Sequence, residues 1–231
     1  MTQCLQTIAL IGKYRSPDVA EAVLEIAAFL RGRAHTVLIE QGTASAIKLA
    51  EGFPVASYDE IGATANLAVV IGGDGTMLNT ARRLAEHGVP LVGINLGRLG
   101  FLTDIGRESA ITRLTEILDG EYQEESRFML SAEVLRGGQR VFHTLALNDV
   151  VVSKGELGRM IEFDVSIDDD FVYTQRSDGM IVTTPTGSTA YALSSNGPIL
   201  HPSINAIALV PLCPHALTAR PVTLPDNCRI D

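Results

Sequence analysis

Asn66-Leu67-Ala68-Val69-Val70-Ile71-Gly72-Gly73-Asp74-Gly75-Thr76-Met77-Leu78-Asn79-Thr80-Ala81-Arg82-Arg83-Leu84-Ala85 is the stretch that decides the fold of this chain. Its first six residues form an apolar run of strand length, and the residues from Met77 onward have helical character. Between them lie three glycines and one carboxylate. Glycines let backbone N–H groups approach an anion, and a helix N-terminus adds a favourable dipole. A lone Asp in such a loop can take the proton of a hydroxyl that is attacking a phosphoryl group. The stretch therefore points to phosphoryl transfer on a phosphate loop of the less common kind. Taken alone it fits a plainer reading equally well, a tight turn in which Asp74 caps the helix.

The rest of the first half alternates strand and helix. Ile8 to Ile11 reads as a buried strand. Ser16 suits an N-cap and Pro17 the first helical position, and Val19, Val23, Leu24, Ile26, Ala27 and Leu30 make one apolar face that stops at Gly32. Thr36 to Ile39 is a second strand, 66–71 a third, and Leu91 to Ile94 a fourth. The helix after the glycine loop ends near Gly88, and a last one runs from about Glu108 to Leu118, closed by Gly120. Short joints between such elements imply a mainly parallel α/β sheet, whose ligands sit beyond the carboxyl ends of the strands.

After Glu124 the pattern turns to β structure. Phe128 to Leu135 reads as a strand, Gly137-Gly138 as a hairpin turn, and Val141 to Val152 as the return. Ile161 to Ile167 alternates apolar and polar residues, Asp168-Asp169-Asp170 is a solvated hairpin tip in preference to a metal site, and Phe171-Val172-Tyr173 follows. The expected organisation is an α/β domain over residues 1–124 and a β-rich domain over 125–231.

Composition narrows the partners. Eighteen basic against 27 acidic residues give a net charge of −9, which disfavours non-specific nucleic-acid binding. An anionic ligand must then be held by local dipoles and a few cations. Cys4, Cys213 and Cys228 lie far apart without zinc-type spacing, and the 5 histidines form no metalloprotease motif, so no protein metal site is expected. Reduced thiols in a cytoplasm fit this pattern. No signal peptide or run of transmembrane length is read, so no membrane partner is expected.

Three further segments carry residue types that suit a nucleotide. Asn148-Asp149 places an amide beside a carboxylate at the end of an apolar strand. Arg176 offers a phosphate fork and Asp178 a hydroxyl acceptor. Each is matched locally by a structural alternative, a turn or a surface hairpin. From Thr183 to Pro198, 7 of 16 residues are Ser or Thr, following the apolar Met180-Ile181-Val182. A short helix over Ser188–Ser194 would offer hydroxyls and free N–H groups for phosphate or carboxamide recognition. Gly187-Ser188 lacks the G-x-S-x-G frame, which argues against a serine hydrolase.

Gly72-Gly73-Asp74-Gly75-Thr76, Leu96-Gly97-Arg98-Leu99-Gly100-Phe101-Leu102-Thr103-Asp104, Asn148-Asp149, Ser177-Asp178-Gly179 and Thr184 to Tyr191 together resemble the NAD kinase family, in order and approximate spacing. The first motif is shared with lipid kinases and phosphofructokinases; the set of five is far more specific and spans essentially the whole chain. The resemblance implies a Rossmann-like α/β domain and a β-sandwich-like domain with a dinucleotide between them. The implied reaction converts ATP and NAD⁺ to ADP and NADP⁺ by phosphorylating the 2′-hydroxyl of the adenosine ribose. It makes Asp74 the general base and sets Gly75 against the nucleotide. Asn148 and Asp149 would hold the adenosine end of NAD, and Arg159, Arg176 and Asp178 would line the site. Thr189, Ala190, Tyr191, Ala192, Leu193 and Ser194 would form its wall. Mg²⁺ would arrive with ATP, Arg176 goes with a preference for NAD⁺ over NADH, and dimers or tetramers are usual.

This chain departs from the family at three places. Asp149 stands where Glu is usual, which shortens the reach by one methylene. Asn196 stands where Gly is frequent, so a positive φ is expected there, and Asn tolerates one. The chain stops at Asp231 in what reads as the start of another strand, so the second domain is expected to be incomplete, with an exposed edge. Two other functions compete with the family's. A diacylglycerol or sphingoid kinase would share the glycine loop but need an acyl pocket. A non-catalytic dinucleotide-binding protein would have no use for an intact Asp74.

Overall fold

The computed structural model describes residues 5–12, 17–47, 52–97, 100–155 and 158–231. The chain divides into two compact units, Met1–Glu124 and Glu125–Asp231.

The first unit is a doubly wound α/β layer. Its elements are β1 (Thr7–Gly12), α1 (Pro17–Gly32), β2 (Thr36–Glu40), α2 (Gln41–Ile47), β3 (Val55–Ala56), α3 (Tyr58–Thr64), β4 (Leu67–Ile71), α4 (Asp74–Leu84), β5 (Leu91–Asn95), β6 (Ile105–Gly106) and α5 (Ala110–Leu118). The strands form one sheet in the order β3-β2-β1-β4-β5-β6, every pair parallel. Alternation along β1 splits the core between the two faces. Ile8 and Leu10 pack with Val23, Ile26 and Leu30 of α1 and Leu114 of α5, whereas Ala9 and Ile11 pack with Ile61 of α3 and Leu84 of α4.

The sequence reading passes over α2, β3 and α3. The first two are short and carry no apolar stripe. The third did leave a signal: Ser57 and Glu60 form a capping box at its N-terminus. The expected N-cap Ser16 lies outside the described residues, and Pro17 does open α1.

The second unit is β-rich. Leu130–Arg136 (β7) and Gln139–Ala146 (β8) form a hairpin turned by Gly137 at φ 57° and Gly138 at φ 76°, angles that need glycine. Asp149–Ser153 (β9), Gly179–Thr183 (β12), Ala206–Leu212 (β13) and Val222–Pro225 (β14) form an antiparallel sheet ordered β14-β13-β12-β9. Ile161–Ile167 (β10) pairs with Asp170–Ser177 (β11). Val165 of β10, Met180 of β12 and Leu209 of β13 share one core, so the β10–β11 hairpin lies face to face with the four-stranded sheet. The opposite face, with Ile181, Ala208 and Val210, packs Ala192 of the short helix α6 (Tyr191–Ser194) and Leu200.

The single return strand expected over Val141–Val152 is corrected. The chain breaks at Leu147-Asn148, and β9 leaves the hairpin to pair with β12. The break is fixed because the Asn148 carbonyl accepts from Thr184 N at 2.9 Å and from the Thr183 hydroxyl at 3.2 Å. At the Asp168–Asp170 tip, Arg229 N donates to Asp168 Oδ1 at 2.8 Å, and the Arg229 guanidinium pairs with Asp169. Among the described residues no group of three or more His, Cys, Asp or Glu side chains is placed to hold a metal. No helix among them is long and apolar enough to cross a membrane. Asn196 has φ 62°, the positive value expected of it.

Candidate active site

In the first unit β4 ends at Ile71, Gly72 N donates to Ile94 O at 2.8 Å, and α4 begins at Asp74 with Gly73 as its extended N-cap residue. The helix has no side-chain cap, so Asp74 is not the cap that the plainer reading made it. Its carboxylate turns instead to the loop after β5. Oδ2 accepts from Phe101 N at 2.8 Å. Oδ1 accepts from Leu102 N at 3.0 Å, Thr103 N at 3.2 Å and Thr103 Oγ1 at 3.0 Å. Burial pushes this carboxyl's pKa up, but the donors from Phe101, Leu102 and Thr103 outweigh it and hold it below the ordinary Asp value. Asp74 is therefore an anion at neutral pH. Oδ1 is crowded with three donors, while Oδ2 has one and keeps a lone pair free.

Gly73 and Gly75 face open space: a Cβ on either meets nothing within 4 Å. Beside them lies a cleft of about 490 Å³, lined by Gly12, Tyr58, Gly73, Gly75, Thr76, Asn79 and Arg83. It opens at the carboxyl ends of β1 and β4. There the chain leaves β1 toward β2 on one side and returns to β4 on the other, the position where open α/β sheets bind ligands. Arg83 stacks on the Tyr58 ring, 4.6 Å from its centroid.

In the second unit the Asn148-Asp149 pair stands at the start of β9. Asn148 Oδ1 is buried with no partner, a costly state unless a ligand supplies a donor. Burial raises the pKa of Asp149, and its carboxylate has no hydrogen bond or ion pair among the described residues. Asp178 joins β11 to β12. Lys154 Nζ donates to its Oδ1 at 2.8 Å, and Lys154 N to its backbone oxygen at 3.0 Å, which leaves Oδ2 open. Arg176 is exposed on β11, in register with Glu162 of β10, and Arg159 is exposed between β9 and β10. Thr189 closes a single 3-10 turn, and Ala190, at φ −99° and ψ −122°, separates that turn from α6. Tyr191, Leu193 and Ser194 are exposed, whereas Ala192 is buried in the core, so only its backbone can meet a ligand.

The Ser/Thr-rich segment corrects one expectation. Its hydroxyls serve the chain itself: Thr184 Oγ1 donates to Leu147 O at 2.5 Å, and Ser188 Oγ donates to Pro185 O at 2.7 Å and accepts from Leu200 N at 3.0 Å. Two of its N–H groups are engaged too, Gly187 N by Thr184 Oγ1 and Ser188 N by Thr184 O. This network ties the segment to the Asn148 turn. The sequence reading also assigned no role to Asn95, Gly100, Thr103 or Lys154. Gly100 and Thr103 lay within a quoted motif, and nothing in their types pointed to Asp74. Arg98 and Leu99 of that motif lie outside the described residues.

Residues 8–122 match the ATP-NAD kinase N-terminal domain and residues 147–231 the ATP-NAD kinase C-terminal domain. An NAD kinase of Azoarcus sp. is 74% identical over 231 residues, which cover 100% of this chain and 79% of that protein. An NAD kinase of Thiobacillus denitrificans is 50% identical over 225 residues, 97% of this chain and 77% of the other. Among solved structures, yeast NADH kinase complexed with NADH superposes with a TM-score of 0.90 at 27% identity, covering 99% of this chain and 72% of that one. An NAD kinase from Archaeoglobus fulgidus in complex with ATP does so with a TM-score of 0.73 at 26% identity, covering 97% and 79%. None of these four is a lipid kinase or a non-catalytic binding protein.

Proposed function

This chain belongs to the ATP-NAD kinase family, and from that premise we propose that Asp74 is the base with which it phosphorylates NAD⁺. The reaction is transfer of the γ-phosphoryl group of ATP to the 2′-hydroxyl of the adenosine ribose, giving NADP⁺ and ADP. The observation that carries the role of Asp74 is its carboxylate, ionised and braced on one side, with Oδ2 still able to accept a hydroxyl.

The 2′-hydroxyl donates to Oδ2, and its proton passes to that oxygen as the new O–P bond forms. The bond between the γ-phosphorus and its bridging oxygen breaks, and ADP leaves. A carboxylate of lowered pKa is a weak base. It suffices because the transition state is loose, and the attacking oxygen gives up its proton late, when bonding to phosphorus has acidified it. The bare faces of Gly73 and Gly75 admit phosphate oxygens close to the α4 N-terminus. Mg²⁺ enters with the ATP phosphates as part of the substrate and neutralises their charge.

The first unit carries the transfer loop and the second the recognition of NAD⁺. Asn148 Oδ1 and the unpaired Asp149 carboxylate accept from the adenosine end. The open oxygen of Asp178 takes a further donor, and Arg159 and Arg176 bring positive charge to the pyrophosphate. Residues Thr189 to Ser194 supply a wall through exposed side chains and backbone. The free thiols Cys213 and Cys228 favour the cytoplasm. The exposed apolar residues Val134, Leu135, Val141 and Phe142 of the β7–β8 hairpin favour a homo-oligomer, a dimer or tetramer.

The test is product analysis after incubation with NAD⁺, ATP and Mg²⁺, with diacylglycerol as a competing acceptor. NADP⁺ alone supports the reading; a phosphorylated lipid, or NAD⁺ binding without turnover, contradicts it.

A further inference from the structure

Behind the donors that brace Asp74, the segment that follows β5 carries a second layer of hydrogen bonds. Asn95 and Thr103 are both buried, Thr103 completely. Gly97 N donates to Asn95 Oδ1 at 2.8 Å, which fixes the way round of the amide. The Asn95 NH₂ group then faces Thr103 Oγ1 at 2.9 Å. An amide NH₂ only donates, so the Thr103 oxygen accepts there and its own hydrogen is left for another partner. That partner is Asp74 Oδ1 at 3.0 Å, a carboxylate oxygen that only accepts. The chain Gly97 N–H, Asn95, Thr103, Asp74 therefore runs in one direction only.

The Thr103 methyl packs against Gly93, so near that a Cβ added to Gly93 would sit 2.8 Å from Thr103 Cγ2. The hydroxyl is oriented by its two partners, the Asn95 amide and the Asp74 carboxylate.

We propose that Asn95 and Thr103 are positioning residues for phosphoryl transfer. They saturate Asp74 Oδ1 from the buried side and leave Oδ2 as the oxygen that receives the substrate hydroxyl. The inference rests on Asp74 being the base, and adds how that base is aimed. Position matters here because a reacting oxygen misplaced by about 1 Å costs on the order of a hundredfold in rate.

The experiment compares Thr103→Val, Thr103→Ser and Asn95→Asp with the parent chain and with Asp74→Asn. Thr103→Val removes the hydroxyl at nearly constant volume. Asn95→Asp leaves Thr103 in place but turns its hydroxyl away from Asp74, because a carboxylate at position 95 accepts where the amide donated. Two readouts are taken: kcat and KM across pH, and the titration of the Asp74 carboxyl by carbon NMR, which needs no turnover. Thr103→Val and Asn95→Asp should each lower kcat about tenfold or more with KM for both substrates within about twofold. In both, Asp74 should titrate at higher pH than in the parent, and Thr103→Ser should restore both readouts.

Unchanged kcat and an unchanged titration in Thr103→Val and Asn95→Asp, with Asp74→Asn inactive, overturn this inference alone. An active Asp74→Asn overturns the base and the inference with it. If Thr103→Val fails to fold, Thr103→Ala, which also removes the hydroxyl and adds no charge, takes its place.

Discussion

Gly100 borders the Asp74 carboxylate so closely that a Cβ built on Gly100 overlaps Asp74 Oδ1. The same loop offers the N–H groups of Phe101, Leu102 and Thr103 to that carboxylate. Gly100 thus lets the backbone close around an anion, which no larger residue permits. Gly100→Ala should force the carboxylate out of its cradle and lower kcat by about tenfold to a hundredfold. Overpacking should cost about 1–3 kcal/mol of stability. Kinetics and thermal unfolding of the one variant check both.

Gly75 gives the opposite pattern. It lies in α4, and a Cβ there meets nothing. Gly75→Ala should stabilise the fold by about 0.5–1 kcal/mol, since glycine costs that much inside a helix. Activity should fall because the new methyl occupies the approach of the nucleotide. A variant more stable than the parent and fully active would show that the open face beside Gly75 is not used.

Asp149 makes a pH prediction. Its folded pKa is raised by burial, so the native state holds the proton more tightly than the unfolded chain. The stability this contributes is present below the unfolded pKa and is lost as pH rises through the folded value, leaving a cost at neutral pH. Asp149→Asn should therefore raise Tm at pH 7, by an amount that shrinks in acid. The same variant should raise KM for NAD⁺ by about tenfold, through the lost hydrogen bond to a charged acceptor. In the parent, KM for NAD⁺ should rise as pH falls through that raised pKa. Melting curves and initial rates at several pH values test both halves.

Arg176 is exposed on β11, opposite Glu162. Arg176→Ala should change stability by no more than about 0.5 kcal/mol, as surface replacements do. Its effect should appear in coenzyme choice, as a fall in the ratio of kcat/KM for NAD⁺ to that for NADH. An unchanged ratio would remove Arg176 from the discrimination.

Much of this was legible in the sequence, for reasons that differ by element. The apolar run of β4 followed by three glycines fixes a strand, a turn and a helix, and the alternation of β10 fixes a half-buried strand. The partners of Asp74 were hidden because they are backbone N–H groups 27 to 29 residues away, and an N–H has no residue type to read. The Thr183–Ser188 hydroxyls were misread because composition counts them without saying where they point. The break at Asn148 was missed for a related reason. It depends on the backbone N–H of Thr184, 36 residues on, while the apolar pattern runs through it unbroken.

As proposed, Asp74 Oδ2 takes the proton of the attacking hydroxyl. Asp74→Asn keeps the shape of the side chain and removes the base. The measurement is single-turnover formation of NADP⁺ by parent and variant, with NAD⁺ binding measured separately on each. The account predicts a loss of at least about a hundredfold in the transfer step with NAD⁺ still bound; transfer within a few-fold of the parent would contradict it.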